Sequence, residues 1–147
     1  MIHTFLFAVC RKKNLNMEEN AKRKMQFLEL YCMVMADGIV HPKEMEVLYR
    51  IGKETYQLTD SELTIAVKNS GSSPFVPDDY EDRIRLLYEM ALIAWADGVL
   101  EQSERDLLCR YAKFYMVSDA QIDAVVDFLL AEAQKNVSED EIIAQFK

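Results

Sequence analysis

The sequence predicts an all-α fold: a compact bundle of about seven helices, arranged as two similar helix-turn-helix units. Three observations predict it. Apolar residues recur at helical spacing, as in Phe27, Leu30, Tyr31 and Val34 and again in Ile84, Leu87, Tyr88 and Ala91, whereas period-2 alternation and β-branched runs are scarce. Helix starts are spelled out as capping boxes at Thr59-Asp60-Ser61-Glu62, Ser118-Asp119-Ala120-Gln121 and Ser138-Glu139-Asp140-Glu141. One phrase also occurs twice, sixty residues apart: Ala36-Asp37-Gly38-Ile39-Val40 followed by Glu44, and Ala96-Asp97-Gly98-Val99-Leu100 followed by Glu104. Six of the seventeen positions 36–52 are identical in 96–112, and the match reaches back to Glu29 and Glu89. A repeat of this kind sets architecture before any other signal does.

Each element has its own warrant. Residues 1–17 form an N-terminal extension in which the apolar run Thr4-Phe5-Leu6-Phe7-Ala8-Val9 precedes Arg11-Lys12-Lys13. A secretory signal has its charges first and a longer apolar run, and a membrane span needs about 20 apolar residues. The extension therefore reads as a packed extra segment, a membrane-surface anchor, or translated sequence upstream of a start at Met17. One helical domain is predicted over 18–147, with helices at 18–36, 42–55, 60–69, 79–96, 102–115, 119–134 and 139–146. The first carries the Phe27 stripe. The second opens on Pro42, whose missing N–H costs nothing in a first turn. Gly71, Ser72, Ser73, Pro74 and Pro77 mark a break at 69–79, which separates repeat units of about 20–69 and 79–134. In each repeated turn a glycine, Gly38 or Gly98, suits the left-handed backbone that ends a helix. Ile39-Val40 and Val99-Leu100 supply an apolar plug between the flanking helices. Trp95 reads as a core anchor, and Cys32 and Cys109, inside apolar helical stretches, read as core residues.

Composition narrows the function. Half of the 147 residues are apolar and 29% are charged, the profile of one ordinary globular domain. A net charge of -8 argues against nucleic acid as a partner. The charge is uneven: residues 1–25 carry six Lys/Arg against two Glu, which leaves -12 on the remainder. Such a body attracts divalent cations or a basic protein, or serves to keep the surface solvated. The three cysteines, Cys10, Cys32 and Cys109, are odd in number and far apart. That fits a reducing, cytoplasmic setting and neither a disulfide framework nor a metal knuckle. The two histidines, His3 and His41, have no nucleophile motif beside them, and no glycine-rich phosphate loop is present. The chain is predicted not to be an enzyme.

Asp37 with Glu44, and Asp97 with Glu104, are the candidate metal ligands, since Ca²⁺ and Mg²⁺ prefer carboxylate oxygens. Asp-Gly-x-aliphatic-x-x-x-Glu matches the second half of an EF-hand loop. The first half fails, because its ligand positions would be Met33 and Met35, or Ile93 and Trp95. A second reading is structural. Each Asp can accept N–H groups at the start of the following helix, and each Glu stands near the third helical position, where a carboxylate satisfies unpaired donors. Both readings stand on these residues. Glu29 and Glu89, two turns upstream of the repeated Asp, read as an extension of the acidic stripe or as a solvated face.

With its paired Ala-Asp-Gly-aliphatic turns, each followed by Glu in the next helix, the chain over roughly 20–146 resembles the TerB-like tellurite-resistance domains. It is also similar to the related N-terminal domain of a membrane-anchored J-domain co-chaperone. The resemblance implies a compact all-α fold, often of two similar units. It also implies acidic positions proposed to bind a divalent metal, here Asp37, Glu44, Asp97 and Glu104, and a role in stress responses through a protein partner. His41-Pro42 departs from the pattern, where a small polar cap is more typical, and the extension before Met17 is no part of it. The expected function is a cation-responsive protein-interaction module; the alternative is a metal-independent interaction module whose carboxylates are helix caps.

Overall fold

No proline or glycine occurs before Gly38, so nothing in the first 35 residues compels a helix to stop. The computed structural model accordingly begins with a single helix, α1 (Ile2–Met35), of 34 residues and about 50 Å. The backbone is described for residues 2–35, 41–68 and 76–147, and side chains from Glu19 onward except Val67. The expected start at residue 18 is thus corrected: the extension is helical and continuous with the first helix of the domain. Six helices follow: α2 (Pro42–Glu54), α3 (Asp60–Lys68), α4 (Tyr80–Ala94), α5 (Gln102–Phe114), α6 (Ile122–Gln134) and α7 (Glu139–Gln145). Among the described residues the fold is all-α. Of the repeated turns, the first (36–40) lies outside the described residues, as does most of the predicted break, 69–75.

Local chemistry accounts for the boundaries. The Thr59 box is fully formed: Glu62 N–H donates to Thr59 Oγ1 at 3.2 Å, and Thr59 N–H donates to Glu62 Oε1 at 3.2 Å. Ser138 Oγ accepts Glu141 N–H at 3.4 Å and starts α7. The Ser118 box does not form. Gln121 N–H bonds to the Ser118 carbonyl at 2.8 Å, so residues 119–121 make a turn and α6 begins three residues later than expected. Helices α5 and α6 end on left-handed Met116 (φ 67°) and Asn136 (φ 57°). The following N–H groups, of Val117 and Val137, reach back to Ala112 and Glu132. That is a Schellman closure without glycine.

The core is organised on α4. Ile84, Leu86, Leu87, Tyr88, Met90 and Ala91 are fully buried. Against α4 pack α1, α2, α5, α6 and α7, while α3 packs on α1 and α2. From α1 the core receives Phe27, Leu30 and Val34, as the helical stripe predicts, together with Met33, while Tyr31 of the stripe is only partly buried against it. Three expectations change. Cys32 is exposed and so is not a core residue, while Cys109 is half-buried and packs on the core's margin. Trp95 is only partly buried; its Nε1–H donates to the Leu130 carbonyl at 2.9 Å and ties the end of α4 to α6. In the second turn, Leu100 packs on the core while Val99 is 61% exposed, so the plug is one residue.

Gly52 of α2 sits where α1 and α3 converge. A Cβ there would lie 2.8 Å from Leu63 Cδ2 and 3.0 Å from the Phe27 ring. Alanine improves helix propensity by up to about 1 kcal/mol, yet overpacking a filled core costs about 1–3 kcal/mol. Gly52→Ala is expected to destabilise by about 1 kcal/mol, read as a lower urea midpoint at unchanged slope.

Candidate functional site

The predicted site is built from two helix N-termini. In α2, His41 is the N-cap and its Nδ1 accepts the Lys43 N–H at 3.2 Å; Pro42 fills the first position and Glu44 the third. In α5, Glu101 is the N-cap and Glu104 the third residue, whose Oε2 accepts the Glu101 N–H at 3.0 Å. Upstream, Asp97 Oδ1 accepts the Val99 N–H at 3.0 Å, and Gly98 has φ 82°, the left-handed backbone predicted for it. Glu104 therefore caps α5, whereas Asp97 holds the N–H of Val99 in the turn before that helix and caps no helix.

The fold also brings Glu44 and Glu104 together. Their carboxyl groups lie within hydrogen-bonding reach of each other, although they come from equivalent places sixty residues apart. Both helices rest on α4, which sets this approach. Two carboxyls can share a hydrogen bond only with a proton between them. Partial burial, in the first place, pushes the Glu104 carboxyl above its ordinary range, and the charges of Asp97 and Glu101 push the same way. The Glu101 N–H and the Glu44 carboxyl oppose the shift. Each Glu also stands at the positive end of its own helix, which favours the anion.

A divalent cation needs several oxygens at once. Among the described residues no three His, Cys, Asp or Glu side chains converge closely enough to hold one. The described residues supply the facing pair Glu44 and Glu104 with Asp97 nearby. The fourth predicted ligand, Asp37, lies outside the described residues. An open cleft of about 590 Å³, bordered by Lys43 in the first turn of α2, Arg50, Leu92, Trp95, Gly98 in the second repeated turn and Asn136, does not include the pair in its lining.

Glu29 and Glu89 correct the sequence reading most sharply. Neither is a solvated face: Glu29 is 7% and Glu89 0% exposed. The Tyr56 hydroxyl donates to Glu89 Oε2 at 2.5 Å. In turn the buried Tyr115 phenol lies near Glu29, whose charge adds to burial in pushing that phenol up. A signal for this burial was present: Leu86, Glu89, Met90 and Ile93 share i, i+3, i+4, i+7 spacing, which puts the acid on a core face.

Compared with family models, curated proteins and solved structures, the chain shows no significant match. The TerB-like resemblance consequently rests on the repeated residues alone. No helix among the described residues is long and apolar enough to cross a membrane.

Glu104→Ala should remove the α5 cap and destabilise by about 1 kcal/mol. Glu104→Gln keeps an acceptor for the Glu101 N–H and removes the charge, so it should be neutral or stabilising. A raised folded pKa gives its full stability at low pH and loses it as pH rises. Denaturation curves should therefore show the glutamine variant gaining on wild type from pH 4 to 7.

Proposed function

We propose that the chain is a non-enzymatic, TerB-like interaction module of two similar helix-turn-helix units, made responsive to a divalent cation by the Glu44–Glu104 pair. The observation that carries this reading is the meeting of repeat-equivalent carboxyls at two helix N-termini. The crosswise placement of Tyr56 on Glu89 and of Tyr115 near Glu29 supports the two-unit arrangement, since each tyrosine follows one repeat and meets the glutamate of the other. Without a cation the pair needs a shared proton; a cation such as Ca²⁺ or Mg²⁺ replaces that proton and draws the starts of α2 and α5 together. The cleft, bordered by Lys43 and Gly98, the sequence neighbours of Glu44 and Asp97, is where such a change would be felt by a protein partner. A role in a tellurite-type or general stress system comes from the resemblance alone, and the cytoplasmic setting from the cysteine pattern.

A second reading has its own observation. Glu104 Oε2 and Asp97 Oδ1 are already occupied by the backbone N–H groups of Glu101 and Val99. On this reading the carboxylates are structural caps and the module binds its protein partner without metal.

Thermal melts separate the two. A ligand at a hundred times its dissociation constant stabilises by about 2.7 kcal/mol, several degrees for a domain of this size. The cation reading predicts such a rise with Ca²⁺ or Mg²⁺ over chelator. The rise should be larger at pH 8 than at pH 5.5, because the ion displaces a proton. It should be absent from Glu44→Gln/Glu104→Gln. No rise into the millimolar range, at either pH, would leave the metal-independent module.

A further inference from the structure

Helix α7 packs chiefly on α4, and its first residue, Glu139, faces a group that the proposed function leaves unused. Glu89, in the middle of α4, is fully buried. Its Oε2 accepts the Tyr56 hydroxyl, and its Oε1 has no donor. Around it stand Tyr56 from the α2–α3 connection, Arg85 one turn earlier on α4, Tyr115 at the end of α5, and Glu139 on α7. The Glu139 side chain is within hydrogen-bonding reach of the Glu89 carboxyl. Arg85 is committed to Glu139: its Nη1 lies 3.0 Å from Glu139 Oε2 and 3.8 Å from Asp140 Oδ1.

An ionised Glu89 would place an acceptor-only oxygen, buried and without a donor, against a second carboxylate. Both features oppose charge there. A proton on Oε1 removes both at once, since the carboxylic acid donates to Glu139 while Oε2 still accepts from Tyr56. The Arg85 guanidinium sits 3.0 Å from Glu139 and not on Glu89, so the shared proton is assigned to Glu89. Burial, and then the Glu139 charge, push the Glu89 carboxyl well above its ordinary range.

We propose that Glu89 is a buried proton site that latches α7: protonated on Oε1, it donates to the Glu139 carboxylate held by Arg85, and loss of that proton to solvent base frees α7 from α4. The start of α7 is then fastened by the acid–carboxylate bond, the pairs of Arg85 with Glu139 and Asp140, and the Tyr88 hydroxyl on the Val137 carbonyl. Only the first depends on a proton. Opening exposes the carboxyl to water, where it ionises in the ordinary range. Between that range and the titration of the latched state, rising pH favours opening by up to tenfold per unit. Release uncovers Ile142 and Ile143, which α7 otherwise buries.

The test uses the full chain. In ¹³C NMR of glutamate-labelled protein, the Glu89 carboxyl should remain at its protonated position at pH 7. Hydrogen exchange of the α7 amides, corrected for intrinsic chemistry, should show an opening constant that climbs up to tenfold per unit from about pH 5.5 to 7.5. Glu89→Gln, whose amide donates as the acid does, should keep α7 closed and flatten that climb. A Glu89 carboxylate at pH 7 would overturn the latch, whether or not the variant folds. So would the same pH dependence of α7 opening in wild type and Glu89→Gln.

Discussion

Helix α4 is held on nearly every side: α1, α2, α5, α6 and α7 all pack against it, and nine of its residues from Ile84 to Ala94 are buried. Burial on this scale is the main favourable term in folding, and it fixes everything placed around the helix. With α2 and α5 both seated on α4, their N-termini have little freedom, and Glu44 and Glu104 are brought face to face. A polar group on the buried face of α4 must find partners inside the protein, which is the situation of Glu89. The two acidic features of the molecule are thus consequences of one packing arrangement.

They differ in what surrounds them. Glu44 and Glu104 lie at helix N-termini, partly open to solvent, where backbone N–H groups and helix dipoles partly offset the repulsion. On the proposed reading it is there that an external cation would compete with a proton. Glu89 is sealed, its nearest cation is engaged by Glu139, and only a proton fits its needs. Carboxylates at repeated positions have been placed in two environments with different chemistry. The repeat is visible in the sequence as identity, while the environments differ because one pair lies at the ends of helices and the other in the middle.

Much of the fold was legible because it is written locally. The helical stripes at Phe27 and Ile84, the Thr59 and Ser138 boxes, and Pro42 placed six of the seven helix starts within three residues. The misses have local causes too. Lack of proline or glycine before Gly38 let α1 continue to the N-terminus, although composition had suggested a separate extension. Met116 and Asn136 end helices in left-handed backbone without the glycine that would have announced it. For the site, residue types and spacing offered each Glu and Asp as a metal ligand or a helix cap; Glu104 is seen capping α5, while Asp97 closes the preceding turn on Val99 instead. Spacing could not tell that Glu44 and Glu104 meet, since that depends on how two helices sit on a third. Nor did charge reveal that Glu29 and Glu89 are buried; an acid on a core face reads as solvated until its neighbours at i-3, i+1 and i+4 are weighed.

The most direct test is a double-mutant cycle of Glu44→Gln and Glu104→Gln on folding stability at pH 8, in chelator and then in saturating Ca²⁺. Groups in contact couple by about 0.5–3 kcal/mol, whereas distant ones add within about 0.5 kcal/mol. A repulsive coupling in chelator that disappears or reverses with Ca²⁺ is the predicted result: two carboxylates that meet across the domain and accept a cation between them. Additive effects in both conditions would contradict it, leaving each glutamate as the cap of its own helix.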